Sequence, residues 1–564
     1  MVSTMKSRIK IFSKDSFGWI LICISVLMLG KSVALCFSND IWYDELFTVG
    51  MIEHSYGEMI HFTAADVHPP LYYCVTKLFV DLCKLIIPGA GTIIPAKLVS
   101  VLPYFILFLY SVTWIRKRFG IFTGGMFLFC VIAMPQLSAY TVEVRMYGWA
   151  LLFVTAAFLH AYGCVTAQSG WFRHGMALVL YGLAAAYTQY FACVAVMMVY
   201  LYVLLMFLWQ DKRRIKEWCL YAALSIAGYV PWLFALAGQI SAVKENYWIL
   251  PLTWRSLGGC VKFLMKPAFQ NETWNVFLAV ILFVLYVEVV GSSFIRYVTY
   301  CRRAKEDSRD TGFAKDMKKV YHNGRVIHAI AALGVLLGVV LFGFAASILI
   351  RPVFVYRYMI PAMGCFWLCF VICLDNVLCK LDVALLLQKD GEKTDKESGG
   401  RYLHTVKRIL TILIVMVVII GLRNYRAFLG EEEYKIRLMK ETETALSQIG
   451  PDDIVIYNFD QVQAVTSYYL QEGTKRYLWN GEAEKLIQEI IGPCGTVEEE
   501  ETIKDWLTGK EMQKESADRH IWFIGSFNSR EDIVAQWRES GLTVEEKGSY
   551  LLERYWFNLY EVSL

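Results

Sequence analysis

The 564-residue sequence predicts a polytopic α-helical membrane protein with a C-terminal α/β domain, and three observations predict it. First, 56% of the residues are hydrophobic and 15% aromatic, with a mean hydropathy of +0.42, too apolar for a water-soluble chain of this length. Second, the chain repeatedly offers apolar runs near the length of about 20 residues that a helix needs to cross a bilayer. Third, past Arg423 the composition changes abruptly to a charged, ordinary mixture, as in a water-exposed domain.

The apolar runs lie at roughly 16–37, 95–114, 121–138, 145–166, 173–188, 191–209, 217–237, 274–298, 327–349, 355–378 and 405–422. Lys6, Arg8, Lys10 and Lys14 precede the first, Lys31 interrupts it late, and no small-residue cleavage site follows. A retained first span is therefore expected, not a removed signal peptide. A further run, 70–88, is ambiguous, and the basic loops decide it. The N-terminus, Arg116-Lys117-Arg118, Lys212-Arg213-Arg214, the 302–319 loop and the 389–408 loop all fall on the cytoplasmic side only if 70–88 does not cross. That segment is then an interfacial helix begun by Pro69-Pro70. Eleven crossings place the loop 38–70, the loop 239–273 and the C-terminus outside the cytoplasmic membrane. Residues 390–400 (DGEKTDKESGG) form a polar linker between the last two spans. The pattern divides the chain into a membrane domain, 1–425, and an extracytoplasmic domain, 426–564.

Within the second domain, 431–449 has the pattern of an amphipathic helix closed by Gly450-Pro451. Strands are predicted at 454–457, 475–479 and 520–525, helices at 461–471, 482–491 and 529–539, and two final strands within 542–563. Alternating strands and helices imply a small α/β layer. The turn Tyr457-Asn458-Phe459-Asp460 carries no GxGxxG, so recognition or scaffolding is expected of this domain rather than nucleotide binding. The fifteen cysteines stand mostly alone in apolar runs and form no metal knuckle or disulfide framework. Residues 299–326 and 379–404 hold no DxD and no Gly-rich phosphate loop. The net charge of +4 comes from a few basic loops, and nucleic acid is not an expected partner.

Polar residues instead collect in the predicted outer loops. Trp42-Tyr43-Asp44-Glu45 and Asp66-Val67-His68-Pro69-Pro70 put three carboxylates and a histidine beside the first span, where ionisable groups are costly and usually functional. Tyr43, Tyr72 and Tyr73 add flat apolar surface of the kind a sugar or isoprenoid site needs. Glu143 and Arg145, with Tyr147, sit at the mouth of a helix pair, where an arginine can clamp a phosphate through two hydrogen bonds. Thr188-Gln189-Tyr190 forms a tight turn, Gln239, Lys244, Tyr247 and Trp248 occupy a long loop, and Arg351 to Tyr358 joins two spans around Arg357. The bland alternatives are a solvated acidic loop and a snorkelling surface pair of Glu143 and Arg145.

The ordered set W-Y-D-E, D-x-H-P-P-L-Y-Y, E-x-R-M-Y, T-Q-Y and R-P-x-F-x-x-R-Y resembles the GT-C superfamily of membrane glycosyltransferases, in the branch of protein O-mannosyltransferases and aminoarabinose transferases. The resemblance covers roughly residues 16–375. It implies a polyprenyl-phosphate sugar donor used on the outer face of the membrane, with Asp44 as the essential first-loop acid, Glu45 its neighbour, and Asp66 with His68 completing the loop. The chain departs from the family pattern at Lys97, where an Arg is frequent, and at Gln189, where a His is frequent.

Glycosyl transfer from a phosphate requires a base for the acceptor hydroxyl on the face opposite the leaving group, and a nearby negative charge favours an oxocarbenium-like transition state. Asp44 is the expected base, with Glu45 and Asp66 beside it, and inversion the expected outcome. The departing lipid phosphate needs cations, for which Arg145 and Arg357 are first candidates, flanked by Tyr147 and Tyr358, with Lys97 next. His68, Gln189 and Tyr43 are candidates to orient the acceptor or the loop. Glu45, Asp66 and His68 are also compatible with a divalent metal, without demanding one. The acceptor class stays open between an envelope polymer, a lipid and a protein. A transporter or flippase of lipid-linked sugars is the alternative, but it calls for midplane charges or paired broken helices, whereas the polar clusters here share one face and no internal repeat is evident. A sensor with an outer ligand-binding domain is a third reading, and it leaves the 44–70 loop unexplained.

Overall fold

A computed structural model describes residues 14–167, 169–242, 249–268, 271–310, 324–390, 396–498, 503–508 and 519–563. Lys244, Tyr247, Trp248 and the basic residues before Lys14 lie outside the described residues, as do parts of the 302–319 and 389–408 loops.

Among the described residues nine helices are long and apolar enough to span a bilayer, from Lys14–Leu35 to Leu403–Leu446, and the chain is a multi-pass membrane protein. The two remaining expected spans are shorter helices, Ile121–Ala133 and Trp171–Ala186. Ile121–Ala133 is buried along its whole length and packs backbone to backbone on the first span. A Cβ at Gly125 would stand 2.2 Å from the Gly18 carbonyl oxygen, so only glycine permits this crossing.

The ambiguous run forms helix Leu71–Ile86. Tyr72, Tyr73, Thr76, Lys77 and Val80 line its buried face, while Leu78, Leu82, Leu85 and Ile86 are exposed and apolar. Such a helix of 16 residues is the shape expected of an interfacial segment.

The last span and the helix expected after it are continuous: Lys396–Leu446 is one helix of 51 residues, and the composition change at Arg423 and the expected boundary at 425/426 fall inside it. No proline interrupts it, and Gly430, its one glycine past Arg423, is too weak a breaker. At mid-length Asn424 donates to the Ala133 carbonyl and accepts from the Ala268 amide, while the Tyr425 hydroxyl meets Met28 and Ser32 of the first span.

Beyond it lies a six-stranded sheet with strands β1 (Ile454–Tyr457), β2 (Lys475–Trp479), β3 (Gly495–Val497), β4 (Ile521–Gly525), β5 (Thr543–Leu552) and β6 (Tyr555–Ser563), in the order β3-β2-β1-β4-β6-β5. The first four are parallel, and β6 runs antiparallel to β4 and β5. Side-chain alternation explains the uninterrupted apolar runs of β1 and β4, which are buried on both faces. Val455, Tyr457, Trp522 and Ile524 join the core continuous with the helical bundle, whereas Ile454, Ile456, Ile521 and Phe523 pack with Trp537 on the other face. The short strand β3 and the helix Ile503–Thr508 were not expected from the sequence.

Candidate active site

The acidic loop leaves the first span and turns into helix Tyr43–Glu53 at Trp42. Glu45 explains that start: one carboxylate oxygen accepts the Trp42 amide at 3.1 Å, satisfying a helix-initial donor from the third helical position. Its other oxygen accepts the Val144 amide at 2.6 Å, which pins the Glu143–Tyr147 segment against the new helix. Burial pushes the Glu45 carboxyl up to about 7, with Glu143 adding to the rise and Lys97 opposing it. Glu45 is thus a brace that brings Arg145 beside Asp44.

Asp44 stands between two guanidiniums. Arg357 donates to its Oδ2 at 2.7 Å, Arg145 lies 3.9 Å from the same oxygen, and Arg145 Nη1 donates to the Asp44 main-chain carbonyl at 2.8 Å. Burial alone would raise the Asp44 carboxyl, but the charges of Arg145 and Arg357 outweigh it and hold the group below its ordinary value. Arg145 Nη2 also reaches His68 Nε2 at 3.4 Å, and His68 Nδ1 meets Asp66 Oδ2 at 2.8 Å. Since an arginine can only donate, His68 accepts through Nε2 and donates its Nδ1 proton to Asp66. Burial opposes ionisation of Asp66, but His68 and Arg145 outweigh it and keep that carboxyl low.

Several donors around Asp44 are buried without an acceptor among the described residues: Arg145 Nε, Arg357 Nε, and the hydroxyls of Tyr73 and Tyr147. An apolar cavity of about 240 Å³ adjoins this cluster, with His68, Gln189, Phe191, Leu236 and Tyr358 on its walls. Tyr358 stacks on Phe191 with ring centroids 4.7 Å apart.

The remaining candidates lie elsewhere. Lys97 is buried in a pair with Asp40 Oδ1 at 2.9 Å and also donates to Ser38 at 2.9 Å, so its ammonium secures the acidic loop at Ser38 and Asp40. Gln189 caps helix Tyr190–Gln210 by accepting the Ala192 amide, and it faces the cavity without bonding to Asp44. Gln239 joins Tyr190 to the Thr63 carbonyl. Tyr43 points to the C-terminal domain, its hydroxyl 3.5 Å from Glu484. Among the described residues Glu45, Asp66 and His68 do not bring their ligand atoms within 4.8 Å of one another: each Glu45 oxygen accepts a backbone amide, and Asp66 and His68 bond to each other. Among the described residues the trio that comes together is Asp40, Glu432 and Glu553, none of which the sequence reading singled out and none of which lies in a motif.

No protein-family model matches the chain, and no curated protein sequence does. Solved structures do match it. ArnT from Cupriavidus metallidurans in the apo state superposes with a TM-score of 0.55 at 12% identity, covering 97% of this chain and 98% of that one. The chain has the fold of ArnT. ArnT bound to undecaprenyl phosphate matches at a TM-score of 0.53 and 13% identity, with the same coverage. The archaeal oligosaccharyltransferase AglB from Archaeoglobus fulgidus, in complex with an inhibitory peptide and a dolichol-phosphate, is more distant at 0.41 and 10%, covering 91% of this chain and 70% of that one.

Proposed function

We propose that this GT-C fold carries an inverting glycosyltransferase, which moves a sugar from a polyprenyl-phosphate donor to an acceptor on the outer face of the cytoplasmic membrane. The observation that carries this reading is the bracketing of Asp44 by Arg145 and Arg357, whose Nε atoms are buried without acceptors among the described residues, in a cluster whose His68 lines an apolar cavity. Buried donors of this kind call for an anion, and a phosphate with a hydrocarbon tail satisfies both the donors and the cavity. That an ArnT structure holds undecaprenyl phosphate supports the same donor class.

Asp44 then has two states. Held by both arginines its carboxylate is a weak base. A donor phosphate that draws the guanidiniums to itself relieves that stabilisation and raises the affinity of Asp44 for a proton. Asp44 takes the proton of the acceptor hydroxyl as that oxygen attacks the anomeric carbon, and the carbon–phosphate oxygen bond breaks on the opposite face. The electron pair leaves on the lipid phosphate, where Arg145 and Arg357 stabilise the new charge. His68, oriented by Asp66, holds Arg145 in place.

The test is turnover by purified protein of radiolabelled undecaprenyl-phosphate pentoses and hexoses, with a membrane extract as acceptor. Release of undecaprenyl phosphate with transfer of label is expected. Full activity in Asp44→Asn, or movement of the intact donor across vesicles without its consumption, would overturn the reading.

A further inference from the structure

The β5–β6 hairpin reverses in two residues, Glu553 and Arg554, since Leu552 pairs with Tyr555. Glu553 has φ = 55°, a conformation for which tight hairpin turns select Gly, Asn or Asp. A glutamate that accepts such backbone strain is held by something else.

What holds it is a buried ionic network. Glu553 Oε2 lies 3.1 Å from Lys435, whose ammonium also contacts Glu432 at 2.8 Å, and the carboxylates of Asp40, Glu432 and Glu553 lie within 4.8 Å of one another. Lys97 closes the network on Asp40. Two ammoniums already oppose the three acids, which disfavours a metal here. Asp40 Oδ2 has no hydrogen-bond partner among the described residues, and a proton on the neighbouring Glu553 carboxyl would supply one. Burial and the charge of Asp40 do raise the Glu553 carboxyl well above its ordinary value, while Lys97 keeps Asp40 ionised against the effect of burial. The other titratable groups facing Asp40 are Cys36 and Tyr469.

The next residue, Arg554, lies over Trp42 with its guanidinium carbon 3.9 Å from the ring centroid. Trp42 is the residue from which the acid helix starts, and its carbonyl accepts the Glu45 and Leu46 amides at 2.9 Å. A shift of Trp42 therefore carries Asp44 with it. Arg554 also lies close enough to Glu143, next to Arg145, to lower the charging cost of that buried carboxyl.

We propose that the Glu553–Arg554 turn is a positioning element of the transferase site: Glu553 seats it against Asp40, Arg554 clamps Trp42, and together they fix the orientation of Asp44. This rests on the transferase reading above. The C-terminal domain is accordingly a working part of the site.

The experiment measures turnover of a radiolabelled undecaprenyl-phosphate sugar, affinity for undecaprenyl phosphate, and amide exchange of residues 41–46 in full-length protein. Arg554→Ala and Glu553→Ala are expected to lower kcat by roughly 10- to 100-fold, the scale of a misplaced catalytic group, with undecaprenyl phosphate affinity within about twofold. Exchange at 41–46 should quicken without global unfolding, and Arg554→Lys should recover part of the loss. Glu553→Gln, which resembles the protonated acid, should keep wild-type kcat and sustain it as pH rises, whereas the wild type loses activity once Glu553 ionises opposite Asp40. Wild-type kcat in both alanine variants, or a Gln variant as impaired as the Ala variant, would overturn the proposal. An Asp44→Asn control separates the two levels: if it is inactive while Arg554→Ala is fully active, only the positioning role fails, and if it is fully active the transferase reading fails first.

Discussion

Arg357 and Asp44, 313 residues apart in the chain, meet through a 2.7 Å hydrogen bond. One comes from the turn Tyr356–Met359 that opens the span Tyr356–Cys379, the other from the first turn of helix Tyr43–Glu53 after the first span. The fold thus closes on its proposed base from both ends of the membrane domain, and the consequences can be measured.

Asp44→Asn removes the proton acceptor and keeps the shape. Turnover should fall by about 10²- to 10⁴-fold, the usual contribution of a general base. Binding of undecaprenyl phosphate, measured by ligand-dependent thermal shift, should persist because the arginines remain.

Arg357→Gln removes a charge that holds the Asp44 carboxyl below its ordinary value. Its pKa should therefore rise, and the acidic limb of the kcat/KM profile should move to higher pH. Affinity for undecaprenyl phosphate should weaken in the same variant, since the guanidinium is also the proposed phosphate ligand. A profile that stayed in place would separate Arg357 from Asp44.

Glu45→Ala leaves the buried Val144 and Trp42 amides without their acceptor. Each such loss costs about 1–3 kcal/mol, so thermal unfolding in detergent should occur several degrees lower. The carboxyl of Glu45 is raised to about 7 from an ordinary value near 4.5. The folded state then binds the proton more tightly than the unfolded one, so this group's contribution is full below pH 4.5 and is lost as pH rises towards 7. Glu45→Gln should flatten that part of the stability profile.

Lys97→Met strands the Asp40 carboxylate in the interior. Breaking one side of a buried pair costs about 3–5 kcal/mol, so this variant should be among the least stable of single substitutions at the loop. Lys97→Met with Asp40→Asn should recover much of the loss, a comparison that chemical denaturation of the purified proteins can make.

The legible parts of the sequence were those with a strong period or a compact motif. The spans stood out by length and hydropathy, and β1 and β2 fall on 454–457 and 475–479 because each is a short apolar or aromatic run between turn residues. The cluster of Asp44, Asp66, His68, Arg145 and Arg357 was visible because each residue sits in a loop flanked by aromatics. The role of Glu45 as a brace was not, because backbone acceptors at Trp42 and Val144 leave no trace in residue type. Lys97 was read toward a phosphate because its partner Asp40 sits outside every motif. Arg554 was invisible for a related reason: a two-residue turn at the far end of the chain carries no pattern that ties it to Trp42.

The uninterrupted helix Lys396–Leu446 has a mechanical consequence. At about 1.5 Å per residue it is a rod of roughly 75 Å, gripped at mid-length by Asn424 and Tyr425. A domain mounted on such a mast has its height above the bilayer set by the shaft, not by a hinge. For the proposed transferase, lengthening the shaft by one turn would lift the Glu553–Arg554 turn off Trp42 without altering a single residue of the site.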